Sequence, residues 1–276
     1  MLLTKNKTIR RIAGLFETFN FLFFKLLIKN PSQASAFPGK VFRDYMSLVG
    51  KDKWMHKDLA DIFPIEEGIR LTIDHLPGKG VSNKLDELAY LALITKMVKP
   101  NTIFEIGTFR GRTALNFALN SPDDCIVYTL DLPPEERNEQ IRKTYDIDAN
   151  IIRAGVTGAD YQGKDVEKKI KQLYGDSLKF DFSPYFEKID LVFVDGAHHY
   201  EAVKSDTAHA LKMVRPGGFI IWHDFANYGD YNDVTRAVLD SLPGNQVLQI
   251  EVTQLALYQH KIEGEGKTVD SSWSTE

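Results

Sequence analysis

The sequence predicts an α/β fold, an open and mostly parallel sheet with helices on both faces and a helical extension ahead of it. Two observations carry this reading. From residue 85 onward, short and nearly all-apolar runs alternate with segments of helical periodicity, the pattern of strands hidden on both faces and linked by covering helices. The first of those strands runs into a turn bearing Gly107 and Gly111 before a helix opens, the place where such sheets build ligand sites. A chain of 276 residues, 43% hydrophobic and 26% charged, is large enough to bury a core without staples. Its single cysteine, Cys125, excludes an internal disulfide and a multi-cysteine metal site.

The first 30 residues set Lys5, Lys7, Arg10, Arg11, Lys25 and Lys29 around the apolar run GLFETFNFLFFKLLI. A signal peptide is one reading, with Ala34-Ser35-Ala36 as its small-residue pattern, but Glu17 and Lys25 interrupt its apolar region. The run is also too short and too charged for a good membrane span. An amphipathic helix fits better, because Phe16, Phe19, Phe23, Leu26 and Leu27 share one face; that face suits a partner subunit, the main domain or a membrane surface, through residues 12–28. Asn30-Pro31 ends it. The chain is expected in the cytoplasm, with membrane association through this segment as the alternative. Residues 1–81 thus form an extension or cap, with a short helix near Val41–Val49 and turns at Phe63-Pro64 and Leu76–Gly80.

The main domain is expected over residues 82–262. Ser82 stands where a helix N-cap belongs, though Asp86 falls one residue late for a capping box. Leu85, Leu88, Leu91, Ala92 and Ile94 give the helix its apolar face until Lys99-Pro100 ends it. Strands follow at Thr102–Ile106, Ile126–Leu130, Ile170–Tyr174, Ile189–Val194, Phe219–Trp222, Val247–Ile250 and Leu255–His260, with helices near Thr113–Leu119, Asn138–Ile147, Tyr200–Met213 and Tyr231–Leu239. Met213–Gly218 is expected as a helix exit and turn. Residues 263–276 are rich in Gly, Ser, Thr and Glu and make a flexible tail. Residues 1–80 hold 13 Lys/Arg against 8 Asp/Glu, and residues 81–276 hold 21 against 30. The larger part therefore lacks the basic stripe of a duplex-binding surface, and no nucleic acid partner is expected.

Chemistry concentrates at strand ends. In FEIGTFRGRT, Gly107 permits a tight turn near a ligand and Gly111 close packing of the returning chain. The order Glu-x-Gly-x-x-x-Gly differs from the dinucleotide fingerprint, and Glu105 would repel a diphosphate while tolerating a cationic ligand end. Asp131 ends the second strand and suits two vicinal ribose hydroxyls; capping the next helix is the alternative. Asp176 and Ser177, after the third strand, suit an adenine amino group and ring nitrogen, or a plain turn. Asp195 closes IDLVFV and His223-Asp224 closes GFIIW, a mixed oxygen and nitrogen set for Mg²⁺ or another divalent ion.

These segments, FEIGTFRGRTAL, YTLDLP, QLYGDS, KIDLVFVDGAHHYEAVKSD and VRPGGFIIWHDF in that order, resemble class I S-adenosylmethionine-dependent methyltransferases. The nearer likeness is to the small-molecule O-methyltransferase group that includes macrolide-sugar methyltransferases and proteins labelled cephalosporin hydroxylases. The resemblance implies a Rossmann-like sheet of seven strands with the last antiparallel. It implies S-adenosylmethionine as cofactor, with Glu105, Gly107 and Gly111 around the methionine end, Thr108 and Phe109 in the same turn, Asp131 at the ribose, and Asp176 with Ser177 at the adenine. It implies metal ligands at Asp195 and Asp224, with His223, where histidine replaces an oxygen ligand, either a weaker third ligand or a partner that orients Asp224 from behind, unless the ion is absent altogether, and a base at His198, three residues after Asp195; Asp195 is counted with it in the catalytic pair. His199 is the competing base or a helix-start residue. His209 is expected to be structural, Tyr228–Tyr231 to line the acceptor pocket or form an ordinary loop, and the partner to be a small hydroxyl acceptor such as a sugar or phenol, with a homo-oligomer allowed by the extension. A metal-free N-methyltransferase and a non-catalytic scaffold of the same fold are the competing readings.

Overall fold

A computed structural model describes residues 55–65, 67–76, 84–136, 156–226, 232–242, 246–250 and 253–261. The aromatic N-terminal stripe, the Val41–Val49 and Asn138–Ile147 helices, Tyr228–Tyr231 and the C-terminal tail lie outside those residues. In chain order the elements are β1 (Met55–Lys57), α1 (Leu59–Ile62), α2 (Leu85–Val98), β2 (Thr102–Ile106), α3 (Arg112–Asn120), β3 (Ile126–Asp131), β4 (Ile170–Tyr174), β5 (Ile189–Val194), α4 (Tyr200–Met213), β6 (Val214–Trp222), α5 (Asn232–Ser241), β7 (Leu248–Ile250) and β8 (Ala256–Gln259).

The strands form one sheet in the order β1-β7-β8-β6-β5-β2-β3-β4. Strand β8 runs antiparallel to β6 and β7, and every other pair is parallel. Seven of the strands have the expected arrangement. The eighth, β1, comes from within the segment 1–81 and pairs Met55–Lys57 with Leu248–Ile250 at the sheet edge. The switch point lies between β2 and β5, because β3 and β4 extend the sheet to one side and β6, β8 and β7 to the other.

Strand β5 is buried at every position, yet its side chains sort by a period of two. Val192 and Val194 join a core with Val203, Ala210 and Met213 of α4 and Val234, Ala237 and Val238 of α5. Leu191 and Phe193 join the opposite core with Leu91 and Ile94 of α2 and Ala114, Leu115 and Phe117 of α3. Burial on both faces explains why the sequence shows runs rather than alternation there.

Two local readings change. Helix α2 is capped at Lys84, not Ser82, and the acid that reaches back is Glu87, whose Oε2 accepts the Lys84 backbone N–H at 3.0 Å. Strand β6 begins at Val214 rather than Phe219: Val214 pairs with Ile189, a register shift follows, and Phe219 then pairs with Leu191. The expected turn is a bulge inside the strand, with Gly217 at φ +79°. Among the described residues no helix is long and apolar enough to cross a membrane.

An extended strap, residues 69–75, lies along α3 on two asparagines one turn apart. Asn120 accepts from the Thr72 N–H at 3.0 Å and donates to its carbonyl at 2.7 Å, and Asn116 does the same for Asp74 at 3.0 and 3.1 Å. At the amino end of the sheet, buried Asp190 accepts from the Asn101 and Thr102 N–H groups, both at 2.8 Å, and pairs with Arg215. Burial alone would raise its carboxyl, but the Arg215 hydrogen bond, the Thr102 and Asn101 amides and the Arg215 charge hold it below the ordinary value. A depressed carboxyl stabilises the fold above its unfolded value and loses that contribution as pH falls through its folded value. D190N is therefore expected to lower the unfolding free energy at pH 7 by about 1.5–3 kcal/mol and to flatten the acid limb of a denaturation series.

Candidate active site

The crevice opens over the carboxyl ends of β2 and β5, as the switch point dictates. Gly107 follows β2 at φ +104°, and a Cβ there would lie 2.1 Å from the Asp195 carbonyl oxygen, so no side chain fits. Gly111, at φ +80°, caps α3, and a Cβ on it would lie 2.4 Å from the Tyr161 ring. Phe109 adopts φ +47° and its N–H donates to Asp131 Oδ2 at 2.9 Å. The Leu132 N–H binds Asp131 Oδ1 at 2.8 Å. The Thr157 hydroxyl adds a longer contact to Oδ2 at 3.5 Å.

Glu105 and Thr108 face inward instead. The Thr129 hydroxyl donates to buried Glu105, the Thr108 and Thr129 hydroxyls lie 2.7 Å apart, Gln172 donates to Thr108 at 3.0 Å, and Tyr161 donates to Gln172 at 2.6 Å. Burial pushes the Glu105 carboxyl well above the usual range against the Thr129 hydrogen bond, and the Asp195 and Asp131 charges add to the rise. Glu105 is thus a buried acid under the turn, not an open carboxylate in the crevice. Asp176 shapes its own turn, accepting from the Leu178 N–H at 3.0 Å and pairing with Lys179 at 3.1 Å. Beside it, Asp206 of α4 is fully buried with neither oxygen hydrogen-bonded. Burial pushes its carboxyl up to about 7, with Ser177 opposing and Asp176 adding.

On the other side of the crevice, Asp195, His198 and Asp224 each turn one ligand atom inward, all within 4.8 Å of one another. His198 Nε2 lies 3.1 Å from Asp224 Oδ2 and 3.9 Å from Asp195 Oδ1. Asp224 adopts φ +55°, a left-handed conformation that aspartate tolerates better than most residues and that clusters at functional sites. His223 stands behind this group. Its Nδ1 lies 3.1 Å from Asp195 and 3.3 Å from Asp224, while its Nε2 lies 3.2 Å from Glu87 Oε2. With carboxylates on both ring nitrogens, His223 is a doubly protonated imidazolium. Burial opposes that state, but the Asp195 and Asp224 charges and hydrogen bonds outweigh it and push the imidazole well above its usual value. Burial would likewise raise Asp224, yet the His223 charge and the hydrogen bonds from His198 and His223 hold it far below the carboxylate range.

Of the residues expected around a metal, Asp195 and Asp224 come together with His198, and His223 stands behind them with an acid against each ring nitrogen. His199 precedes α4 as its N-cap residue. Glu87 is a site residue that sequence reasoning missed. Its acid at the third helical position was a signal for a cap, but nothing local shows a contact spanning 136 residues of chain. Arg112 was missed as well: half-buried at the start of α3, it feels the Asp160, Asp195 and Glu87 charges.

Residues 104–225 match a family model described as a methyltransferase domain, over the same strands and crevice. The fold is that of a class I methyltransferase. The chain is similar to a caffeoyl-CoA O-methyltransferase from Populus kitakamiensis, 26% identical over 169 residues, 59% of this chain and 62% of that protein. A caffeoyl-CoA O-methyltransferase from Pinus taeda is 33% identical over 94 residues, 34% of this chain and 33% of the relative. The chain thus spans less than two thirds of the length of these curated relatives. Among solved structures, an O-methyltransferase from Bacillus cereus in complex with SAH superposes at a TM-score of 0.47 with 19% identity, over 67% of this chain and 84% of that one.

Glu87 gives the site a measurable signature. Burial opposes its ionisation, but the His223 hydrogen bond and charge, with the Lys84 and Gln254 amides, pull its carboxyl from 4.5 to about 2. Its stabilisation is present above the unfolded value and lost as pH falls through the folded one. E87Q should cost on the order of 3 kcal/mol at neutral pH, because it leaves a buried imidazolium short of one counter-charge. It should also lower the His223 pKa in an NMR titration and remove part of the stability loss between pH 4.5 and 2.

Proposed function

We propose that the protein is an S-adenosylmethionine-dependent O-methyltransferase that methylates a hydroxyl of a small molecule with help from a divalent cation. The observation that carries this reading is the Asp195–His198–Asp224 cluster, set beside the Gly107 turn at the switch point of a class I methyltransferase sheet. The donor chemistry fits both bound groups. Asp131, at the end of β3, is the acid for the ribose hydroxyls, with Asp176 and Ser177 at the adenine end, and two carboxylates with an imidazole suit a hard or borderline divalent ion. S-adenosylmethionine supplies an electrophilic methyl group on a sulfonium.

The chain's own part is placement and charge. Three carboxylates, Glu87, Asp195 and Asp224, face one imidazolium, His223, and the Arg112 guanidinium feels the Asp195 and Glu87 charges. Negative charge is left over where the cation would sit and where an acceptor proton must leave. His223, tied to Glu87, holds Asp195 and Asp224 in place from behind, as outer partners of metal ligands do. A cation there would lower the acceptor hydroxyl's pKa and fix its direction, and in-line placement supplies much of the remaining acceleration. The relatives favour a phenolic acceptor or a CoA ester carrying one over a sugar.

A second reading rests on the 3.1 Å contact between His198 and Asp224: without a metal, His198 takes the acceptor proton while Asp224 orients its ring. The two separate cleanly. Under the metal reading, exhaustive chelation should abolish methylation of a catechol or caffeoyl acceptor without loss of S-adenosylhomocysteine binding, and Mg²⁺ or Mn²⁺ should restore it, in D195A and D224A much less than in wild type. Full activity in protein shown metal-free by elemental analysis would overturn the metal role. H198A should then lose roughly 10²–10⁴-fold in turnover.

A further inference from the structure

The backbone leaves β6 through two left-handed residues that are not glycine, Asp224 at φ +55° and Ala226 at φ +59°. Aspartate tolerates that conformation better than most residues. Alanine has no polar side chain to offset the crowding of its Cβ, and it persists there only where its surroundings over-determine it. Those surroundings come from α5 and from the residue before β8. Phe225, between the two, is fully buried in a core shared with Val234, Ala237 and Val238, and its N–H donates to the Gln254 carbonyl at 2.9 Å. The Ala226 N–H donates to Thr235 Oγ1 of α5 at 2.8 Å. Upstream, the His223 N–H still follows the strand and donates to the Val194 carbonyl at 3.1 Å. Asp224 therefore turns toward His198 between a paired strand end and a left-handed residue held from α5. Thr235 is itself buried, and its hydroxyl stands there at a cost that a hydrogen bond offsets.

We propose that Thr235 is a positioning residue for the Asp224 carboxylate, acting through the backbone of Ala226. This rests on the reading of Asp195, His198 and Asp224 as a cation site. The three residues from Asp224 to Ala226 make one strained turn whose middle is pinned by the Phe225 ring and N–H. Once the Thr235 hydroxyl lets go, Ala226 relaxes to an ordinary φ, the peptide joining it to Phe225 rotates, and Asp224 is free to relax in the same way. Its carboxylate then leaves its place 3.1 Å from His198 Nε2. His223 and His198 hold that carboxylate by its oxygens, whereas Thr235 holds the main chain that carries it. A ligand set works only when its members are kept within about 0.5 Å of their productive positions, so both kinds of restraint are needed. Helix α5 thus shapes the cluster through Thr235, which is not a member of it.

Calorimetric titration of the full chain with Mn²⁺, and in parallel with S-adenosylhomocysteine, tests this. T235V keeps the shape of the side chain and removes the hydroxyl. It should bind Mn²⁺ roughly 10–100-fold more weakly than wild type, the usual cost of losing an outer support of a metal ligand, with S-adenosylhomocysteine affinity unchanged. T235S, which restores the hydroxyl, should bind Mn²⁺ as wild type does. The decisive variant is A226G/T235V. Glycine adopts a positive φ unaided, and residue 226 is only half-buried, so water can take its N–H; Mn²⁺ affinity should return to within about threefold of that of A226G. A packing role for Thr235 gives no such return, because glycine at 226 replaces nothing that valine lacks at 235. Should T235V not fold, the comparison of A226G/T235V with A226G decides the matter. Mn²⁺ affinity in T235V equal to wild type, an equal loss in T235S, or a loss that A226G does not restore overturns the inference and leaves the proposed function standing. Wild-type protein that binds no Mn²⁺, or D224A that binds it as wild type does, removes the cation reading and the inference together.

Discussion

The approach of two strand ends at the switch point is the constraint on which the site depends. Gly107 comes so close to the Asp195 carbonyl that a single added carbon would collide with it, and the Asp195 N–H donates to the Ile106 carbonyl at 2.9 Å. This contact holds the turn after β2 and the loop after β5 in one position. Asp131, the cluster of Asp195, His198 and Asp224, and His223 behind it are arranged around that contact. Because the backbone atoms are in contact, the geometry is not adjustable by side-chain rotation, and a rigid frame is what a reaction that depends on alignment requires.

Charge distribution follows from the same packing. The crevice concentrates carboxyl groups at different depths, and depth decides their state. Glu105, sealed under the turn, is pushed up by burial, whereas Asp224 and Glu87, each facing His223, are held down despite burial. Burial and the His223 charge thus push neighbouring acids in opposite directions.

What could be read from the sequence divides along the range of the interaction. The parallel sheet, the helices between its strands and the glycines of the first turn were legible, because each leaves a local trace: an all-apolar run, a helical period, a glycine where the backbone must be left-handed. Asp195 and Asp224 were legible because strand ends are where such sheets place ligands. The placement of His223 against Glu87 was not, because Glu87 arrives from α2, 136 residues away in the chain. The β6 bulge hid for a related reason, since Pro216-Gly217-Gly218 looks like a turn until Val214 finds Ile189 across the sheet. Asp206 left no local mark, because a carboxylate on a helix is ordinary until its burial is known.

The eighth strand bears on where this fold can be divided. Strand β1 is three residues long and precedes everything that resembles a methyltransferase, yet it covers the outer edge of β7. A protein trimmed to the family-like portion would keep its crevice residues while presenting the bare N–H and C=O groups of β7 to its neighbours, and exposed strand edges recruit other chains. Edge protection and chemistry therefore reside in different stretches of the polypeptide. A unit that can be transplanted, fused or recombined without baring the β7 edge has to include Met55–Lys57, well before the first residue that touches the site.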